Sequence, residues 1–309
     1  MAEETIVNFW PGHPLSYATT RIDAFYNQQH LGSATGFILH IGPLYSLVTN
    51  WHVVSGLHPG TGACISKMGG IPNRISFHVA VFTPKEEGND RLGLMHFKPM
   101  QMDLHDSDGL PIWFDEKEPG VQNDYVVIPL NQHIPELADG ITKLRCIEGG
   151  RVTVKRGADM SSRPGMVRAA DIAHFYPPIG SEVFVIGYPL GLSSNGIFPI
   201  WKRASIASEP QTGVTLFGRN YDNAFYVDAM TKSGMSGSPV VYLGRPGDKL
   251  YSDEGTEVEF GVEDPLMVGV YAGRDGVSND EYELSVGRVW KIGSVEALVM
   301  MNHKSFGIE

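Results

Sequence analysis

Apolar residues in this chain of 309 residues fall in short runs, cut at close intervals by Gly, Pro, Asn and Asp. Residues 32–39 and 45–54 are rich in β-branched and aromatic side chains and are separated by the turn-former Gly42-Pro43, which predicts two short strands. Residues 125–130 form another such run, opened by Asp124. Further strands are expected at 181–186, before Gly187-Tyr188-Pro189, and at 203–207, 223–227 and 240–243. The period changes only near the end, where Ile292, Val295, Leu298 and Val299 recur at helical spacing and predict a short closing helix over 291–301. The 36 glycines and 20 prolines suit many short strands joined by turns, so the pattern points to an all-β protein.

Three of these runs carry candidate chemistry. Thr231-Lys232-Ser233-Gly234-Met235-Ser236-Gly237-Ser238-Pro239 sets one serine between glycines at the mouth of a strand. A serine hydroxyl is a poor nucleophile without a neighbouring base, and an oxyanion needs outward-turned backbone N–H groups that glycine's freedom permits. A tight turn entering a strand would use the same residues. His52 closes the 45–54 run at a strand end, where a side chain can face a cleft, although a hydrogen-bonded structural histidine fits the same place. Asp124, before its strand, is either an ordinary turn residue or a buried carboxylate able to orient a histidine ring.

Taken together, the segments resemble the chymotrypsin-type (trypsin-like) serine peptidases, most nearly the bacterial trypsin-like group that includes HtrA-type enzymes. The resemblance rests on Gly32 through Phe37, Thr49 through Val53, Asp124 through Leu130, and Asp228-Ala229 through Pro239. The order His, Asp, Ser also matches. An α/β-hydrolase would need Ser, Asp, His and a glycine where Ser238 stands, and the only histidine after Ser236 is His303. The likeness implies two antiparallel six-stranded barrels with the site between them and a short C-terminal helix. We place an N-terminal extension at 1–19, the first barrel at 20–135, a connection at 136–175, and the second barrel with its helix at 176–309.

By the same likeness Ser236 is the expected nucleophile, His52 the general base and acid, and Asp124 the residue that fixes the histidine tautomer. The backbone N–H groups of Gly234 and Ser236 would form the oxyanion hole. Asp103, Asp106, Asp108 and Asp115 are rival carboxylates, but none opens a comparable apolar strand. Ser238 is expected to support the turn. Substrate-binding walls are expected from Met230 and Thr231 on one side and from Ala272, Gly273 and Arg274 on the other. With Met230 at the base and no carboxylate beside it, cleavage after an apolar or small residue is favoured over cleavage after Arg or Lys, with an acidic residue drawn by Arg274 at the rim as the alternative. Met235 replaces the aspartate that receives a new N-terminus in the digestive enzymes, and Met1-Ala2-Glu3-Glu4 shows no activation sequence. Activity without zymogen cleavage is therefore expected, with any control exerted by loop ordering or a regulatory protein partner.

Charge and composition narrow the classes further. A formal charge of −11 without a dense Lys/Arg cluster argues against nucleic acid, since Lys155-Arg156 and Lys202-Arg203 are too short to be patches. No stretch reaches the roughly 20 apolar residues of a membrane helix. Two cysteines and no secretory signal pattern point to a cytoplasmic, reduced chain. No cofactor or metal is expected: Asp106-Ser107-Asp108-Gly109 echoes a calcium loop, but position one would be Leu104. The acidic segment 244–265 could overhang the cleft. No PDZ-like second domain is recognisable. The expected partner is a protein or peptide substrate. The alternative is a catalytically silent protease-like fold that serves as a binding or scaffold module.

Overall fold

The computed structural model describes residues 6–7, 12–66, 69–84, 93–118, 121–139, 142–149, 174–216, 219–261, 265–274 and 286–303. Most of the connection placed at 136–175 and the Lys155-Arg156 pair lie outside them.

Six main strands build the first half: β1 (Thr19–Tyr26), β2 (Gln29–Ile41), β3 (Leu44–Thr49), β4 (Arg74–Pro84), β5 (Gly93–Asp103) and β6 (Val126–Pro129). They pair antiparallel in the order β5-β4-β1-β2-β3-β6. The two ends of that path meet through residues 104–114. Ile112 N donates to the Leu104 carbonyl at 3.1 Å, and Phe114 N to the Val127 carbonyl at 2.8 Å. Outer pairings are added by Ile6–Val7 on β5, Lys143–Leu144 on β4 and Ile147–Glu148, parallel, on β2.

The second half is a closed six-stranded barrel of β7 (Glu182–Gly187), β8 (Ile200–Ile206), β9 (Ala224–Asp228), β10 (Pro239–Tyr242), β11 (Leu266–Arg274) and β12 (Val286–Lys291). Its order is β7-β8-β9-β12-β11-β10. The helix Ile292–Met301 follows, burying Ile292, Val295, Leu298 and Val299, the positions whose spacing predicted it.

The strands nearest the barrel contact are apolar on both faces, and packing explains why. Successive side chains of a strand point to opposite sides of the sheet. Ile38, Leu47, Val126 and Ile128 enter the core of the first half with Ile22, Phe77 and Val79. Their neighbours Phe37, Leu39, Val48 and Val127 join a separate core with Val185, Val240, Val270 and Trp290 of the second barrel. These strands are therefore covered by their own barrel on one side and by the other barrel on the other. A buried apolar side chain of this size contributes about 1.5–3 kcal/mol, so the shared core holds the two halves in fixed relation.

Two surface segments are organised by local pairing. The Asp106 carboxylate accepts from the backbone N–H groups of Asp108 and Leu110, both at 2.9 Å, which is a self-satisfied turn. Within 244–265, Lys249–Ser252 and Glu257–Glu259 pair with each other, and the first pairs with Phe175–Tyr176, so the expected overhang folds against the second barrel's flank instead.

Candidate active site

His52 sits on a one-turn helix, Trp51–Ser55, that begins as β3 ends, and Gly56 closes the turn with its N–H on the His52 carbonyl at 3.0 Å. Asp124 immediately precedes Tyr125 and β6, the strand paired with β3, so the ladder sets the two residues side by side. Their contact is close. His52 Nδ1 lies 2.8 Å from Asp124 Oδ2 and 3.0 Å from Oδ1, and the His52 backbone N–H donates to Oδ1 at 2.9 Å. The Asn50 side-chain amide donates to the Asp124 carbonyl at 2.5 Å, tying the carboxylate's own backbone to the helix entry. Asp124 is 1% exposed. A carboxylate that already accepts a backbone N–H acts as acceptor to the ring as well, which places the imidazole proton on Nδ1 and leaves Nε2 as the basic nitrogen.

Ser236 comes from the other half, on the turn between β9 and β10. Two glycines shape that turn. Gly234 has φ +95° and Gly237 has φ +84°, both in the region that side-chain-bearing residues rarely adopt. A Cβ on Gly234 would stand 2.3 Å from the Tyr188 carbonyl oxygen, and one on Gly237 would stand 2.1 Å from the Thr35 carbonyl oxygen. The backbone at 234 and 236 is turned so that, among the described residues, neither N–H has a protein acceptor, whereas those of Met235 and Ser238 do. Such a pair of unengaged donors beside a hydroxyl is what an oxyanion hole requires.

The serine turn is fastened to the first half by Thr35, on β2. The Thr35 hydroxyl donates to the Gly234 carbonyl at 2.7 Å and accepts from the Tyr188 N–H at 3.1 Å. Its own N–H donates to the Ser236 carbonyl at 2.8 Å, and Thr49 Oγ1 donates to its carbonyl at 2.8 Å. The chain from β3 through β2 to the serine turn is thus continuous. His52 and Ser236 line one cavity of about 410 Å³, together with Ser233 and Gly234. Among the described residues no hydrogen bond joins Ser236 Oγ to His52. Such bonds are commonly long in unliganded sites and tighten around a substrate.

The rival carboxylates stand elsewhere. Asp103 pairs with Arg74 at 2.9 Å, Asp106 is used by its own turn, Asp108 is exposed, and Asp115 lines a different cavity with His174 and Lys291. Ser238 is fully buried, beneath the turn and against Gly187.

The expected substrate walls stand apart from this cavity. Met230 is 71% exposed, while Thr231 is 2% exposed and its hydroxyl is hydrogen-bonded to that of Tyr271. The Tyr271 ring is itself 1% exposed and lies against Gly287, so it occupies the space between Thr231 and β11. None of Met230, Thr231, Ala272, Gly273 and Arg274 lines the cavity at His52. Sequence reasoning passed over Thr35 and Asn50, whose only signal was a polar residue inside a run otherwise destined for burial.

Residues 64 and 146 are free cysteines, exposed and half-buried respectively. No helix among the described residues is long and apolar enough to cross a membrane.

No protein-family model matches the chain, and no curated protein matches it. Among solved structures, the chain is similar to the active form of the Rv3671c protease of M. tuberculosis, with 19% identity, a TM-score of 0.41, and coverage of 93% of this chain and 81% of that one. It is similar to the inactive form of that protease, with 18% identity, a TM-score of 0.38, and coverage of 93% of this chain and 89% of that one. It is likewise similar to Deg5, with 15% identity, a TM-score of 0.43, and coverage of 93% of this chain and 89% of that one.

Proposed function

We propose that the chain is a serine endopeptidase that hydrolyses peptide bonds of a protein or peptide substrate through an acyl-enzyme on Ser236. The observation that carries this reading is the placement of His52. One edge of its ring is bonded to buried Asp124, and the ring lines the cavity that also holds Ser236 and two unengaged backbone donors.

In this reading His52 Nε2 takes the Ser236 hydroxyl proton as Oγ attacks the substrate carbonyl carbon. The oxyanion is held by the N–H groups of Gly234 and Ser236. His52 then gives the proton to the departing amine nitrogen, and the C–N bond breaks. A water molecule repeats the sequence on the ester and frees Ser236. Asp124 keeps the imidazole in the productive tautomer and stabilises its cationic form. Removing one oxyanion donor in such a site typically costs about 2.7–4 kcal/mol of barrier.

The test is labelling of the purified protein by a fluorophosphonate, followed by proteolysis of an unfolded protein substrate. Labelling and cleavage are expected for the native chain and neither for Ser236→Ala. A folded native protein that takes no label would favour the silent binding-module reading.

A further inference from the structure

The cavity at His52 is built almost wholly by the first half of the molecule. Among the described residues the second half supplies only Ser233, Gly234 and Ser236, the serine turn itself. The remaining wall is carbon-rich, with Ala24, Leu31, Ala34, Val53, Ile65 and Pro72, and among the described residues no Asp, Glu, Lys or Arg lines it. Its lip is apolar too: Ile65 is 49% exposed and Ile71, next to Pro72, is 40% exposed. On the opposite flank Tyr271 is packed onto Thr231 where a slot for the residue before the scissile bond was expected.

Direction of proton transfer decides which part of a substrate meets this wall. His52 delivers its proton to the departing nitrogen, so the departing segment must lie on the side of the molecule that carries His52. That side is the first half, which also supplies Val53, Gly56, Ile65 and Pro72 to the cavity. A volume of about 410 Å³ falls within the range of roughly 300–1,000 Å³ typical of ligand pockets.

We propose that this cavity binds the residue that follows the scissile bond and selects a large apolar side chain there. The proposal rests on the peptidase reading and places specificity on the leaving-group side of the site.

Acyl transfer tests it, because a nucleophile that attacks the acyl-enzyme enters by the route the leaving group takes out. The incoming amine forms a C–N bond to the carbonyl carbon and passes a proton to His52. The ester C–O bond to Ser236 breaks, and Oγ recovers a proton from His52. p-Nitrophenyl acetate would supply an acetyl group on Ser236, and glycinamide or leucinamide would compete with water for it. Leucinamide is expected to capture the acetyl group about tenfold or more better than glycinamide, the scale of an apolar side chain in a matched pocket.

Gly32 offers a plug. A Cβ there meets nothing within 4 Å, and its backbone is not left-handed, so Gly32→Leu would place its side chain in the cavity and bring the ratio to within about twofold of unity. Leu31→Ser, which removes apolar wall without filling space, should lower the ratio severalfold. Each ratio is internal to its own variant, so a change in overall rate does not disturb it. A native ratio near unity, or a ratio unchanged in both variants, would overturn the proposal while acetyl–Ser236 still forms. No acetyl–Ser236 in the native protein, with release of p-nitrophenol no faster than for Ser236→Ala, would overturn the peptidase reading and this proposal with it.

Discussion

Thr35 and Gly234 are 199 positions apart, yet the threonine hydroxyl donates to the glycine carbonyl at 2.7 Å in a fully buried contact. The same hydroxyl accepts from Tyr188 N–H, and the Thr35 N–H holds the Ser236 carbonyl. Thr35, through its hydroxyl and its backbone N–H, therefore fixes the serine turn to the first half. Thr35→Val keeps the shape but leaves a buried carbonyl and a buried N–H without their partner, at a cost of about 1–3 kcal/mol each. The expected outcome is a lower urea midpoint and a fluorophosphonate labelling rate reduced by more than the stability loss explains. Thr35→Ser should restore the labelling rate. Equal labelling by native and Thr35→Val proteins would remove Thr35 from the positioning machinery.

Asp124→Asn tests the tautomer. An amide can donate to Nδ1, which drives the imidazole proton to Nε2 and takes away the base. By analogy with other triads, kcat should fall about 10⁴-fold while the fold is kept. Loss of less than about tenfold would mean that the pair is structural.

Gly234→Ala tests the oxyanion donors. At φ +95° with the Tyr188 carbonyl 2.3 Å from the added methyl, the turn must rotate. Rotation moves the 234 N–H away from the serine, and a loss of about 10²–10³ in kcat is expected, with KM for small esters little changed.

Met230 separates two views of specificity. Because its side chain is 71% exposed, Met230→Asp should leave the cleavage-site profile of a peptide library unaltered. A new preference for Arg or Lys before the scissile bond would restore Met230 to the floor of a pocket.

Stability should fall as pH drops through the histidine range. Burial holds His13, His78 and His133 below the ordinary 6.5, with Asp23 partly opposing this at His78. The unfolded chain then binds more protons than the folded one as pH falls below 6.5. Their contribution is thus fully present above that value and is lost below it. At Asp23, burial raises the carboxyl, but hydrogen bonds from Ser33 and Arg21 outweigh it and hold the group low. That contribution is present above the ordinary 3.8 and is lost as pH falls through the lowered value. Urea midpoints measured across this range should decline in two stages. His78→Phe should flatten the upper stage, and an unchanged upper stage would show that His78 does not contribute to it.

The chain's periodicities were legible because they answer to local rules. Short apolar runs cut by Gly and Pro marked most main strands, and helical spacing at Ile292, Val295, Leu298 and Val299 marked the last helix. Three chemically distinctive residues in a fixed order also stood out. Gly234 and Gly237 did so because their backbone needs no Cβ.

What the sequence could not carry was the competition between distant groups for the same space. Met230 and Thr231 are neighbours, yet one is exposed and the other buried, because only the second meets Tyr271, 40 positions on. Leu31, Ile65 and Pro72 share a cavity only after β1, β2 and β4 have paired around them. Strand period and turn chemistry are set by nearest neighbours along the chain. A cavity is the volume left when strands from far-apart segments close, so its location and its lining are decided by tertiary packing.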